Sequence, residues 1–551
     1  MISINQYWHA IRYLKPIQIY GQIRNRIVSK TFSPNYWKKR AETIQLGDCV
    51  WNPTGEFLPP GKQQNIAESI KKGNLTFLNV EMNLGYPFNW STKMPSKLWE
   101  YNLHYFEYIF ALDYENAKLL VLDWIKNYPL KRYACGWEPY PVSLRIMNWI
   151  TFFFGWHQNK IMSDIEFQTI LKKNLILHAD WLVYRLEYHL LGNHYLENAA
   201  ALSIIGSCFN SQRTKYLFQI GTKILHYELA EQILTDGMHL ERSPMYHSRI
   251  VYLLKLLHNT GNHDLQKIVA PYWSKAVDAL EKLCHPDEQI ALFNDAALGI
   301  YNHPKQFFQN KNIGETKNFQ LNDAGYFGAK TNKGHYILCD AGKIGPDYLP
   351  GHAHGDIFSF ELSFFSKRMI VDSGVYDYVD SPNRKYSRST AAHNTIEIDG
   401  YDQCEFFDAF KVGHRIYPRH VFFETLTYGF RLNGELHHNR KTIHHRLFEW
   451  NHNGILKIID RINADQSKEI ISRFHLHPDC KIIEQKNHEI VVERDSIRWK
   501  LTCYDYPLTL NHFDYSPEFG LKIPAIVIEC IVIKPVITNR SLILQTIIEI
   551  V

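Results

Sequence analysis

The sequence predicts a multidomain α+β protein in which a helical unit is followed by a β-rich unit. Three observations lead there. Apolar residues recur at spacings of three and four through residues 97–300, as helices buried on one face require. The pattern changes near residue 315. From Ala324 onward the chain runs in short stretches rich in β-branched and aromatic residues, separated by Gly, Asn, Asp and Pro. Helices first and strands second imply separate domains and not an interleaved α/β sheet.

Taken in order, residues 1–95 are a mixed lead-in, with Pro and Gly punctuation and two basic patches, expected to hold a few helices and irregular segments. Residues 96–315 form the helical unit. Amphipathic spacing marks helices over 162–191, 195–208, 219–234, 248–258 and 268–283, with short polar turns between them. A run of helical hairpins suggests an α/α toroid or a bundle. Residues 316–551 form the β unit, with strands expected in GHYILCDAG, SFELSFF, MIVDSGVY, NTIEIDG, GILKIIDRI, KIIEQK, EIVVERD, AIVIECIVI and SLILQTIIEIV. Many short strands at regular spacing suggest antiparallel sheets packed as a sandwich.

Bulk properties narrow the function classes. With 45% hydrophobic and 21% charged residues among 551, general disorder is excluded. The net charge of +5 is small and reads as spread along the chain, without the Lys/Arg run of a nucleic-acid arm, so no nucleic-acid partner is expected. The nine cysteines are odd in number, widely spaced and lack CxxC, which argues against a disulfide framework or a zinc ribbon. No stretch is long and apolar enough for a membrane span. The N-terminus lacks the apolar core of a signal peptide, so the sequence by itself points to the cytoplasm.

Four stretches crowd titratable residues against the local apolar pattern. LGNHYLENAAAL (191–202) opens a helix with Asn193, His194 and Glu197, the last two sharing a face. In DGMHLERSPMYHSRI (236–250), Arg242 and Arg249 flank Tyr246; positive charge there would lower the phenol's pKa, although an amphipathic surface tyrosine fits equally. GHAHGD (351–356), read as a strand, puts His352 and His354 on one face, with Asp372 following in VDSG. YSRSTAAHNT (386–395) adds Tyr386, Arg388 and His393. His354, Asp372 and His393 would make a two-histidine, one-carboxylate zinc shell; a pair of satisfied histidines at a sheet edge is the alternative.

GNHYLENA, DGMHLERSPMYH, LFNDAA, GHAHGD, FELS, IVDSG and RSTAAHNT, in this order, resemble the heparinase II/III family of polysaccharide lyases. LWEYNLHYFEY (98–108) and GWEPYPVSLRIMNW (136–149) look like the upstream blocks of members found in glycan gene clusters, of exopolysaccharide type. The resemblance covers roughly residues 98–415. It implies an incomplete α/α toroid followed by an antiparallel β-sandwich, with an active site between them. It also implies β-elimination on a uronic-acid-containing acidic polysaccharide.

On that resemblance, Asn193 neutralises the substrate carboxylate, with His194 beside it. Tyr246 donates a proton to the leaving oxygen and can also act as base, and His352 is partner base or carboxylate stabiliser. Glu197, Arg242, Tyr386 and Arg388 are substrate-binding or supporting. Arg145 is a further candidate for gripping an acidic sugar, since a guanidinium matches a carboxylate bidentately. His354, Asp372 and His393 match a structural metal shell, zinc being the expected ion. No organic cofactor is expected, and a homodimer is left open. The family setting points to the periplasm or cell envelope, against the reading of the N-terminus. Two rival readings stand. A hydrolase on a similar toroid would need a carboxylate pair from Asp236, Glu241, Asp295 and Asp356. A non-catalytic glycan-binding or assembly protein would need none of this chemistry.

Overall fold

Polar caps set the starts of most long helices. In the computed structural model, which describes residues 4–31, 33–308, 315–438, 442–464, 469–533 and 541–551, Asp113 accepts the Asn116 N–H to open Tyr114–Asn127. Asp164 does the same for Ile165–Val183. Ser211 and Thr214 form a reciprocal capping box at Gln212–Gln232. Ser243, followed by Pro244, opens Pro244–Asn259, and Asn262 caps His263–Lys282. Consecutive helices joined by short turns pack against each other, giving the incomplete toroid. The helix expected over 162–191 is shorter than its apolar pattern. It ends at Val183, and residues 184–191 turn back so that Asn198 Oδ1 accepts the Glu187 N–H at 3.0 Å. The apolar run after Trp149 continues as a π-helical segment, Ile150–Trp156, whose first five residues are buried.

The lead-in holds helices Ile4–Ile11, Pro16–Thr31, Pro34–Thr43 and Ala67–Lys71, and a hairpin of Asn74–Phe77 with Val80–Asn83. Trp37, Trp51, Phe57 and Leu75 from this region join one apolar core with the toroid helices. That core also takes in Val371, Val375, Phe513, Tyr515 and Phe519 from the β unit. The two units are therefore welded by shared burial, and a cleft lies along the seam.

The β unit is antiparallel throughout. A five-stranded meander runs Lys317–Leu321, Tyr326–Lys330, Tyr336–Asp340, Phe360–Phe364 and Lys367–Ile370. A four-stranded sheet is ordered Leu508–Tyr515, Ile523–Ile533, Glu469–His475 and Ile396–Ile398. An eight-stranded sheet begins at Pro418–Leu426 and closes at Lys481–Gln485, with Ser541–Ile550 at its middle. A second core fills the space between the sheets. Two expectations fail locally: MIVDSGVY is a strand only to Ile370, and GHAHGD is a turn, not a strand. The reason is polar: Asn294 Oδ1 accepts the His354 N–H and Asp372 the Gly374 N–H, so these backbones are tied to side chains instead of a ladder. All nine cysteines are free, and eight are buried.

Candidate active site

Tyr246 lies in the first turn of Pro244–Asn259, where its N–H is accepted by the Ser243 cap. This aims its phenol into the cleft between the units, beside Asn102, Tyr105, Glu107, Tyr301 and Tyr378. The ring centroid is 4.1 Å from that of His352, and the hydroxyl is 3.2 Å from the Tyr378 hydroxyl. Burial, with Tyr378 and Tyr301 alongside, holds the phenol well above its ordinary pKa. The expected lowering by flanking arginines does not occur. Arg249 is spent on Glu197, with Nε–Oε1 at 2.6 Å and Nη2–Oε2 at 3.2 Å. Arg242 turns away and donates to the carbonyls of Lys343 and Asp323 at 3.1 and 3.0 Å, latching helix to sheet. Tyr246 is thus held as a neutral phenol.

His352 is held from below. Its Nδ1 bonds Asp295 Oδ2 at 2.7 Å, and its Nε2 lies 3.3 Å from Glu241 Oε2. Asp295 also bonds His354 Nε2 at 2.9 Å and is forked by Arg384, with Nη2–Oδ2 at 2.9 Å. Burial alone would raise this carboxyl, but Arg384 and the two histidines outweigh it and hold Asp295 well below the carboxylate range. Ser243, which caps the Tyr246 helix, donates to the Asp295 carbonyl at 2.6 Å. One short segment therefore positions both Tyr246 and His352.

Glu241 connects this pair to Asn193. Its Oε1 accepts the Asn193 N–H at 3.0 Å. Gly192 makes the approach feasible: its φ is +56°, and a Cβ there would meet Glu241 Oε1 at 2.5 Å and Leu349 Cδ2 at 2.3 Å. Asn193 is buried, and its carboxamide has no hydrogen-bond partner among the described residues. Next to it, His194 Nδ1 bonds Glu187 Oε1 at 3.0 Å under the Tyr140 ring. Burial opposes a charge on His194, yet Glu187 prevails and raises its pKa.

The other expected contacts separate from this cluster. Arg145 is fully buried and bonds His178 Nε2 at 2.9 Å and the carbonyls of His104 and Gly136 at 2.8 Å. It stacks on Trp124 and is a packing residue, so it cannot grip a sugar in this geometry. Glu197 is closed into the ion pair with Arg249, one turn below Asn193. Arg388 is buried and donates to the carbonyls of Ala353, Asp408 and Lys411. Tyr386 faces a different groove, near His512 and Lys522, with its hydroxyl 3.5 Å from His475 Nε2. These residues support the loops of the cleft and do not line it.

The expected metal set lies just beneath. His393 Nδ1 bonds Asp372 Oδ2 at 2.6 Å, and the His354 and His393 rings are 5.4 Å apart. Among the described residues no three His, Cys, Asp or Glu side chains gather in a ready metal-holding group. However, His354 Nδ1, His393 Nε2 and Asp356 Oδ1 are all buried without a partner, a costly state for polar atoms. Burial pushes His354 down to about 3, so its imidazole is neutral.

Of the carboxylates a hydrolase would need, Asp295 is neutralised by Arg384. Asp236 accepts the N–H groups of Asp323 and Ala324, both at 2.8 Å. The residues that the site reading missed are Arg384, Tyr301 and Tyr378. LFNDAA already carried Asp295, but nothing in the spacing joined it to an arginine 89 residues later.

Residues 113–314 match the heparinase II/III N-terminus, and residues 314–541 match the heparinase II/III-like C-terminal domain. The chain belongs to the heparinase II/III-like family. The heparin-sulfate lyase of Pedobacter heparinus is 25% identical over 316 residues, covering 50% of this chain and 47% of that protein. The heparin-sulfate lyase of Bacteroides stercoris is 25% identical over 338 residues, covering 52% and 50%. This heparinase II/III-like chain thus aligns with about half the length of each. Its fold is that of the heparinase III crystal structure, with a TM-score of 0.69, 16% identity and coverage of 100% of this chain and 94% of that one. The heparan sulfate lyase HepC of Pedobacter heparinus gives a TM-score of 0.59 at 16% identity, covering 94% and 87%.

Proposed function

We propose that this chain is a polysaccharide lyase that cleaves a uronic-acid-containing acidic polysaccharide by β-elimination. One observation supports the reading most directly: a protonated, buried Tyr246 packed against a His352 that Asp295 anchors, at the cleft between the units. Elimination removes the C5 proton, turns its electron pair into a C4–C5 double bond, and expels O4, which must gain a proton. The Asn193 carboxamide and His194 neutralise the uronate carboxylate, which acidifies C5–H. His352 takes the proton at Nε2, and Glu241 Oε2, 3.3 Å away, stabilises the resulting imidazolium. Tyr246 protonates O4, a role suited to a phenol that burial keeps neutral.

The metal belongs to the same proposal. The unpartnered nitrogens of His354 and His393 are the donors a zinc ion uses, and the Asp372 bond to His393 Nδ1 fixes that ring with Nε2 outward. His354, Asp372 and His393 would hold the ion, and Asp356 Oδ1 lies with them as a further donor. Its contribution would be to fix the loop that carries His352 two residues away.

The test is incubation of the full chain with heparan sulfate, alginate-like polyuronates and the host's exopolysaccharide, followed by ultraviolet absorbance of the unsaturated uronate. Absorbance should rise on one of them and fall at least a hundredfold in rate with Tyr246→Phe. A variant as fast as the parent, or cleavage without unsaturated product, would remove elimination and favour hydrolysis.

A further inference from the structure

The small basic excess is not spread along the chain. Of its 61 Lys and Arg, eight lie in residues 1–41, where no Asp or Glu occurs; the other 53 are outnumbered by the 56 Asp and Glu. The net positive charge of the molecule is therefore carried by residues 1–41, which hold the first three helices.

The second of these helices, Pro16–Thr31, is also turned inside out. Its polar face is the one packed inward, on both units. Gln18 Nε2 donates to the Tyr348 carbonyl at 3.1 Å, Arg24 Nη1 to the Tyr184 carbonyl at 2.8 Å, and Asn25 Nδ2 to His189 Nδ1 at 3.0 Å. Gly21 lets the backbones touch: a Cβ there would meet His189 N at 2.6 Å. These contacts fix which way the helix faces. Its outer face then presents Ile19, Tyr20, Ile23 and Ile27, which fall within about 100° of one another around the axis. Ile23 is 54% and Ile27 59% exposed. The preceding helix, Ile4–Ile11, turns Trp8 and Ile11 outward, with Trp8 63% exposed, while its His9 ring meets His414 at 5.8 Å. Neither helix is long and apolar enough to cross a membrane.

We infer that the helices Ile4–Ile11 and Pro16–Thr31 form a docking surface for an anionic phospholipid bilayer, lying flat in the headgroup region. An apolar stripe flanked by cations, with aromatic residues at its margin, is the pattern of helices that lie in the interface plane. On Pro16–Thr31, Arg26 borders the stripe on one side, and Lys30, in the last turn, lies within its arc. Charge complementarity selects anionic over neutral lipid. A soluble polyanion would use the cations but gains nothing from exposed isoleucines, and a second copy of this surface would set like charge against like. The inference is independent of the lyase reading.

The experiment is co-sedimentation of the full chain with vesicles of phosphatidylcholine and phosphatidylglycerol in equal parts, against vesicles of phosphatidylcholine alone. Partitioning should be at least tenfold stronger on the anionic vesicles and weaken in high salt. The double variant Ile23→Asp/Ile27→Asp should lose it at least tenfold, with an unchanged circular dichroism spectrum and unfolding midpoint, since both sites are exposed. Three results would overturn the inference. The first is equal sedimentation with either vesicle or neither. The second is retention by the double variant with full competition by heparin, which would make the surface a polyanion site. The third is a concentration-dependent dimer in lipid-free buffer that the double variant abolishes.

Discussion

At Asp295 a single buried carboxylate answers Arg384 and two histidines. Replacing it with Asn leaves the Arg384 guanidinium buried without its counter-charge, a change that typically costs about 3–5 kcal/mol. The sign of its pH dependence follows from the shift. The folded pKa is depressed, so this stability is fully present above the unfolded value near 4 and is lost as pH falls below it. Urea unfolding should show Asp295→Asn strongly destabilised at pH 7, with the gap to the parent narrowing below about pH 4. A gap that stays constant with pH would show that the ion pair is not its source. That Asn193, Tyr246 and His352 fall in one cluster was legible because each sits in a short motif that the family resemblance picks out. Arg384 was not, because its partner Asp295 is distant in sequence. Arg145 misled for the converse reason: a guanidinium in an apolar helix suggests a ligand, but the folded chain satisfies it with carbonyls and indole faces.

Elements tell a similar story about what burial hides. The expected helices appeared because their apolar stripes face a core. One strand of the large sheet was missed because half of its inward positions are not apolar. Along Ile443–Asn451 the buried positions are His444, Arg446, Phe448 and Trp450. Arg446 and His444 are tolerated there because Asp460, on the neighbouring strand, bonds both, at 2.7 and 2.6 Å. The alternation is real, but a cross-strand partner is needed to see it. The loops carrying His354 and His393 pose the matching question, since one buried nitrogen on each ring has no such partner. If zinc fills that role, purified protein should contain about one zinc per chain by elemental analysis. Chelation should then lower the unfolding midpoint by roughly 5 °C. His393→Ala should lose the metal and become insensitive to chelator. Metal-free protein with the same midpoint as the untreated sample would end the proposal.

For the molecule as a whole, the division into units was readable from the change of periodicity, but the seam was not. It depends on side chains more than two hundred residues apart meeting in one core. Phe519, from the β unit, is 3% exposed within the core of the helical unit and packs edge-on against Tyr378 with centroids 4.8 Å apart. Tyr378 in turn touches the Tyr246 hydroxyl. Truncating Phe519 removes an aromatic side chain from a closed interface, which costs about 3–5 kcal/mol. Because the burial is shared, Phe519→Ala should lower the transitions of both units together. Near-ultraviolet signals, dominated by the tryptophans of the helical unit, should coincide with the amide signal of the sheets in one thermal scan. The elimination proposed for this chain should weaken as well, since Tyr378 loses its support beside Tyr246. Two separated transitions in the parent chain would mean that the units fold independently and that the cleft is assembled only by docking. A single transition that Phe519→Ala splits in two would place the cooperativity of the whole molecule at this seam, the same contact that sets the position of the Tyr246 phenol.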